Sequence, residues 1–145
     1  MKKRQIPPRV FFNASVIIAG LISPTGGSAK LLKWAKSHKV RGLISEIILQ
    51  EVKKHKNKIG QDEKEIEKRI DSIFFPIVSR PENTQVEEYR HITTDYGDAH
   101  VLASSIATKS KFLVTLDQKH LLILQKKFKK VKIVSPKQLI EMLSR

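Results

Sequence analysis

The stretch Arg9 to Pro24, RVFFNASVIIAGLISP, decides the fold. Val10, Phe11 and Phe12 form a short apolar run with aromatic strand-formers, which ends in a small polar cluster, Asn13-Ala14-Ser15, before a second apolar run begins. This pattern predicts a strand, a tight polar turn and a buried helix. In an open parallel sheet the first strand usually lies centrally, and ligands bind beyond the carboxyl ends of the strands where the strand order reverses. Asn13 stands at that crevice in this reading.

Outward from that stretch the chain alternates strand and helix patterns. Val16 to Ile22 is apolar on nearly every side, as suits a helix buried between sheet and helices. Ser23 to Gly27 breaks it, and Ser28 is the expected N-cap of a helix with Leu31, Leu32 and Ala35 inward and Trp34 packing beside them. Gly42-Leu43-Ile44 reads as a second strand. Ser45 caps the next helix, on or beside one face of which fall Ile47, Ile48, Glu51, Val52 and His55. Asp62 and Glu65 have the spacing of a capping box opening a charged helix whose inner positions are Ile66, Ile70 and Ile73.

Phe74 to Val78 suggests a third strand, and Pro76 assigns it to a sheet edge. Ser79 to Thr94 reads as a hydrophilic loop with one helical turn, and Asp98 to Thr108 as a helix whose Ala and Ser residues allow close approach to the sheet. Phe112 to Thr115 is a strand, Leu121 to Leu124 a short apolar helix, and Lys132 to Val134 a last strand. Ser135-Pro136 with Gln138 opens the final helix, docked by Leu139, Ile140 and Leu143. Repeated strand-helix units with short links imply a parallel sheet. Neither an internal repeat nor a dividing linker is found, so residues 1–145 read as one α/β domain, with 1–8 as a basic N-terminal arm.

Composition narrows the function. Of 145 residues 40% are hydrophobic, ample for one core. There is no cysteine, so any metal must be held by oxygen or imidazole. The 28 Lys and Arg against 14 Asp and Glu give a net charge of +14, which favours a polyanionic partner, nucleic acid first. MKKRQIPPR lacks a following apolar segment, and no run approaches the ~18 apolar residues of a membrane span, which favours a cytoplasmic protein with no membrane partner.

Four polar positions gather near strand carboxyl ends or helix starts. Glu51 lies on the inward stripe of its helix, where a carboxylate must be paired or bind a cation. Asp98 opens a helix, a place where an acid also simply complements the dipole. Asp117 follows a strand in Thr115-Leu116-Asp117, where an ordinary turn residue is equally at home. With Asn13 these fall on one side of the sheet. Elsewhere, Lys126, Lys127, Lys129 and Lys130 around Phe128 form a basic run suited to a phosphate backbone, or else a solvated flank of the last strand. The five histidines show no helical i, i+4 metal pair, and each reads as a surface or core residue.

Arg9 to Pro24, Ser45 to Val52 with Glu51, Asp98-Ala99-His100-Val101-Leu102-Ala103 and Leu113 to Asp117, in that order, resemble the PIN domain family, and most closely its VapC-like toxins. The resemblance runs from about Arg9 to the end of the chain. It implies a three-layer fold with a central parallel sheet of about five strands flanked by helices. It also implies a ribonuclease that uses Mg2+ or Mn2+, with Glu51, Asp98 and Asp117 as metal-holding acids, Thr115 matching a family Ser/Thr and Asp95 an accessory acid. A homodimer and a small antitoxin that blocks the acidic pocket follow from the same likeness, with Val16 to Trp34 as a contact region. The family usually has Asp where this chain has Asn13, and Asn where it has Ser15. An amide brings no formal charge and cannot act as a base, which implies a weakened or silenced site. A non-catalytic RNA-binding module of the same fold, or a structural or regulatory α/β domain, are the alternatives.

Overall fold

The computed structural model describes residues 6–93 and 95–144, so most of the expected N-terminal arm lies outside the described residues. The order is β1 (Arg9–Phe12), α1 (Ala14–Ile22), α2 (Gly27–Lys36), β2 (Arg41–Leu43), α3 (Glu46–Lys54), α4 (Lys56–Ile59), α5 (Glu63–Ile73), α6 (Asn83–Tyr89), α7 (Tyr96–Ala107), β3 (Phe112–Val114), a 3-10 turn (Leu122–Leu124), β4 (Lys132–Val134) and α8 (Pro136–Leu143). The strands pair in parallel in the order β2-β1-β3-β4. After β1 the chain adds β2 on one side, and later β3 and β4 on the other. The order therefore reverses between β1 and β3, where the crevice of a parallel α/β sheet forms.

Val10, Phe11 and Phe12 are fully buried, as are Leu113 and Val114 in β3. Strands buried on both faces read as continuous apolar runs, which is why β1 was legible. Helices α1, α2, α3 and α5 pack with one another, and α6 packs with α7. The small residues Ala99, Ala103, Ser104 and Ser105 of α7 are all buried, as close packing on the sheet requires. Gly42 serves the same purpose in β2: a Cβ there would stand 2.7 Å from the Phe74 ring and 2.9 Å from Ala35 Cβ. The caps at Ser45, Asp62 and Ser135 accept the expected backbone N–H groups, and Ser135 and Gln138 complete a capping box.

Four expectations are corrected. The sheet among the described residues has four strands, because the 74–78 run contributes only an isolated parallel bridge, Ser45 to Val78. Phe74 instead ends α5 and packs edge-on against Phe12 at 5.0 Å, and Pro76 has no N–H to extend a ladder. Helix α2 starts earlier than Ser28, with Gly26 as N-cap and Ser28 buried within it, because its first turn lies against Pro136 and Ile140 of α8. The hydrophilic segment 79–94 holds α6, a helix with a Glu82–Gln85 capping box. The Leu121–Leu124 segment forms a 3-10 turn at Leu122–Leu124 rather than an α-helix.

Candidate metal centre

Asn13 caps the amino end of α1 without a side-chain bond to that helix. Its backbone N–H donates to Val114 O at 3.0 Å, and its Nδ2 donates to Thr115 Oγ1 at 2.8 Å. Thr115 is fully buried, and its Oγ1 also accepts the Asp117 N–H at 3.0 Å. One hydroxyl thus joins the end of β1 to the turn after β3. Ser15 adds a second tie, its Oγ accepting the Leu116 N–H at 3.1 Å.

That turn closes on itself. Asp117 Oδ1 accepts the His120 N–H at 3.0 Å, and the Asp117 carbonyl accepts the Leu122 N–H at 2.8 Å. Its other oxygen, Oδ2, lies 3.4 Å from His120 Nδ1. Asp98 arrives from the first turn of α7, which begins at Tyr96 with Asp95 as N-cap, Oδ1 of Asp95 accepting the Asp98 N–H at 3.1 Å. Asp98 Oδ2 stands 3.8 Å from the same His120 Nδ1. Ligand atoms of Asp98, Asp117 and His120 all lie within 4.8 Å of one another.

The electrostatics of this corner are unfavourable without a cation. The Asp98 carboxyl is pushed up to about 6, first by burial, then by the neighbouring charges of Asp95 and Asp117, with His120 pulling partly back. Among the described residues every Lys or Arg ion pair is made with a glutamate, namely Glu46, Glu63, Glu67, Glu87 or Glu88. Among the described residues the one ion-pair partner of Asp98 and Asp117 is His120. Hard carboxylate oxygens beside an imidazole nitrogen, half-buried and without a lysine or arginine, are a donor set that fits a divalent cation.

The other candidate residues are not among these three. Glu51 is half-buried on α3 without an ion pair among the described residues, and it is not one of the three groups that converge. Lys126, Lys127, Lys129 and Lys130 are exposed while Phe128 turns inward, edge-on to Tyr89 at 5.8 Å. Lys130 Nζ is 3.6 Å from Glu88. This run leads into the amino end of β4, whereas Asn13, Thr115 and Asp117 lie beyond carboxyl ends. His100 is buried with its Nδ1 unpartnered, and burial, then Arg80, lowers its pKa.

His120 is the residue that sequence reasoning passed over. A search for i, i+4 histidine pairs on helices does not find a ligand in a turn. The available signal was Asp117-x-x-His120 directly after a strand, a spacing that brings both side chains to one side of a tight turn.

A parallel sheet with carboxylates converging at its switch point defines an α/β protein with a candidate divalent-metal centre. The PIN domain family matches residues 9–119, and the chain belongs to that family, whose members are generally metal-dependent nucleases. Among solved structures, VapBC2 from Rickettsia felis, crystallised bound to a DNA fragment from its promoter, is similar with a TM-score of 0.64 at 14% identity, over 88% of this chain and 98% of that one. PAE2754 from Pyrobaculum aerophilum is similar with a TM-score of 0.64 at 15% identity, over 98% of each chain. At such identities the likeness is one of fold. No curated protein matches the chain significantly.

Proposed function

We propose that this protein is a divalent-metal-dependent endoribonuclease, the toxin of a toxin–antitoxin pair, with its activity weakened at Asn13. The observation that carries the reading is the convergence of Asp98 and Asp117 at the switch point with no lysine or arginine among the described residues to neutralise them. In this reading Asp98 and Asp117 hold Mg2+ or Mn2+, Glu51 contributes from α3 through water, and Asn13 offers its amide oxygen. When bound, such an ion activates water and neutralises charge on the phosphate being cut. Thr115 positions the turn: buried beneath the site, its hydroxyl holds Asn13 and the Asp117 backbone in fixed relation.

The net charge of +14 supports RNA as the substrate, with Lys126, Lys127, Lys129 and Lys130 tracking the backbone away from the cleft. Strands of three or four residues span only about 10–13 Å, so a few nucleotides reach from one end of the sheet to the other. The VapBC complex among the structural neighbours supports a small antitoxin as partner. A homodimer through Val16 to Trp34 and a cytoplasmic location belong to the same reading. No helix among the described residues is by itself long and apolar enough to cross a membrane.

Cleavage of a mixed RNA pool in Mn2+, in Mg2+ and in EDTA, by this protein and by Asn13→Asp, tests the proposal. The substitution keeps the bond to Thr115 by reversing it, since the hydroxyl can donate to a carboxylate where it now accepts from an amide. It restores one charge. The variant is expected to cut at least ~10-fold faster, in line with the cost of disturbing even outer groups of a metal site, and EDTA to stop it. Binding of RNA by both forms with cleavage by neither overturns the nuclease reading in favour of an RNA-binding module, which the uncharged Asn13 favours.

A further inference from the structure

We infer that His120 is a metal ligand in this centre, and that its nitrogen makes the site prefer Mn2+ over Mg2+. The inference rests on the metal-dependent reading above and adds a residue and an ion preference to it. Three observations lead there. His120 Nδ1 stands 3.4 Å from Asp117 Oδ2 and 3.8 Å from Asp98 Oδ2, both longer than the ~2.7–3.2 Å of an N–H···O hydrogen bond. Two donors on one ion at about 2.1 Å stand about 3.0 Å apart at right angles and about 3.4 Å apart at the tetrahedral angle. Both separations are too long for a shared proton, and the ligand atoms of all three residues lie within 4.8 Å of one another, close enough to shift onto one ion.

The second observation is how the ring is held. The backbone N–H of His120 is bound by Asp117 Oδ1, so one carboxylate oxygen fixes the turn while the other faces the imidazole. The 3-10 turn that follows, with Leu121 fully buried, anchors the other side. The third is exposure: the His120 side chain is 48% exposed while Asp98 is 13% and Asp117 27% exposed, so the imidazole forms the open rim over two deeper carboxylates. An exposed histidine has no need of that position for packing.

The chemistry of the donor then sets the ion. Mg2+ takes oxygen ligands and keeps its waters, so a nitrogen in the donor set counts against it; a transition ion accepts imidazole, and Mn2+ is the one that also takes carboxylate oxygens as Mg2+ does. With the amide of Asn13 in place of a charge, a nitrogen donor beside the two converging carboxylates matters more.

Titration calorimetry with Mn2+ alone and with Mg2+ alone, on the full chain and on His120→Ala, separates the cases. Expected are a Mn2+ affinity at least ~10-fold above that for Mg2+, and its loss by at least ~10-fold in the variant, with Mg2+ changed less than about 3-fold. Spin-echo resonance of bound Mn2+ should show the 14N modulation of a coordinated imidazole, a reading on the unaltered protein that needs no variant to fold. If His120 instead acts as a positive charge facing the two acids, it competes with the ion, and His120→Ala tightens Mn2+ binding. Tightened or unchanged binding without 14N modulation overturns the inference alone. Absence of binding by any ion to either form overturns the metal-dependent reading with it.

Discussion

At the amino ends of the strands the chain places Arg9, Arg41 and Lys132, with Lys111 just before β3; beyond the carboxyl ends of β1 and β3 it places Asn13, Thr115 and Asp117, with Asp98 beside them. The two ends lie about 10 Å apart by strand length, little more than one Debye length at physiological salt. A molecule with 28 basic residues has ample means to neutralise two carboxylates. It spends its paired cations on glutamates elsewhere, as where Lys53 meets Glu63 and Glu67 between α3 and α5. The difference teaches that net charge and site charge are separate variables. Under the proposed function the basic surface would attract a polyanion, and the acidic corner would be left to receive a cation.

Removing one acid breaks the comparison most severely. Asp117→Asn, made in the Asn13→Asp background, keeps an oxygen for the His120 N–H but removes a charge from the converging set. RNA cleavage in Mn2+ is expected to fall at least ~100-fold, while RNA affinity holds or rises because one negative charge near the phosphates is gone. Cleavage that survives the substitution would place the chemistry elsewhere.

The opposite end is tested by replacing Lys126, Lys127, Lys129 and Lys130 with alanine together. Each phosphate contact removed lowers the dependence of log affinity on log salt by ~0.7, and Lys130 is already engaged by Glu88, so a reduction of about 2 is expected. Fluorescence anisotropy against salt measures it. A slope that does not move makes this run a solvated flank of β4.

How much of this was legible follows from where the signal lay. The switch-point crevice was readable because Asn13 directly follows one buried apolar strand and Asp117 comes three residues after the end of another, and the caps at Ser45 and Ser135 because their partners sit three residues on. The Phe74–Val78 run misled because Phe74 is buried for a different reason, filling the space against Phe12 that Gly42 leaves open. Helix α6 buries only Val86 and Tyr89, too few positions to show a period. The convergence of Asp98 on His120 joins residues far apart in the chain, and only the tertiary fold reveals it.

The smallest effect is the most diagnostic of the acidic corner. An aspartate in the first turn of a helix ordinarily stabilises it through the dipole, by about 0.3–1 kcal/mol, which predicts that Asp98→Asn destabilises the protein. The raised Asp98 pKa predicts the reverse. Its folded-state value of about 6 exceeds the 3.8 of the free side chain, so between these values the folded form binds more protons than the unfolded form. Stability from this group therefore falls as pH rises from about 4 to about 6 and stays low above. Allowing for solvent screening of a partly exposed carboxyl, the penalty is about 1–2 kcal/mol. Urea unfolding in EDTA should find Asp98→Asn the more stable form at pH 7.5 and the two alike near pH 3.5. Saturating Mn2+ should close the gap at pH 7.5 by stabilising the wild-type chain most, since a ligand that binds the folded state adds stability that grows as the logarithm of its concentration over Kd. If the variant is the less stable form at pH 7.5 in EDTA, the dipole outweighs the repulsion, and Asp98 is a helix-starting acid whose place beside Asp117 has no bearing on a cation.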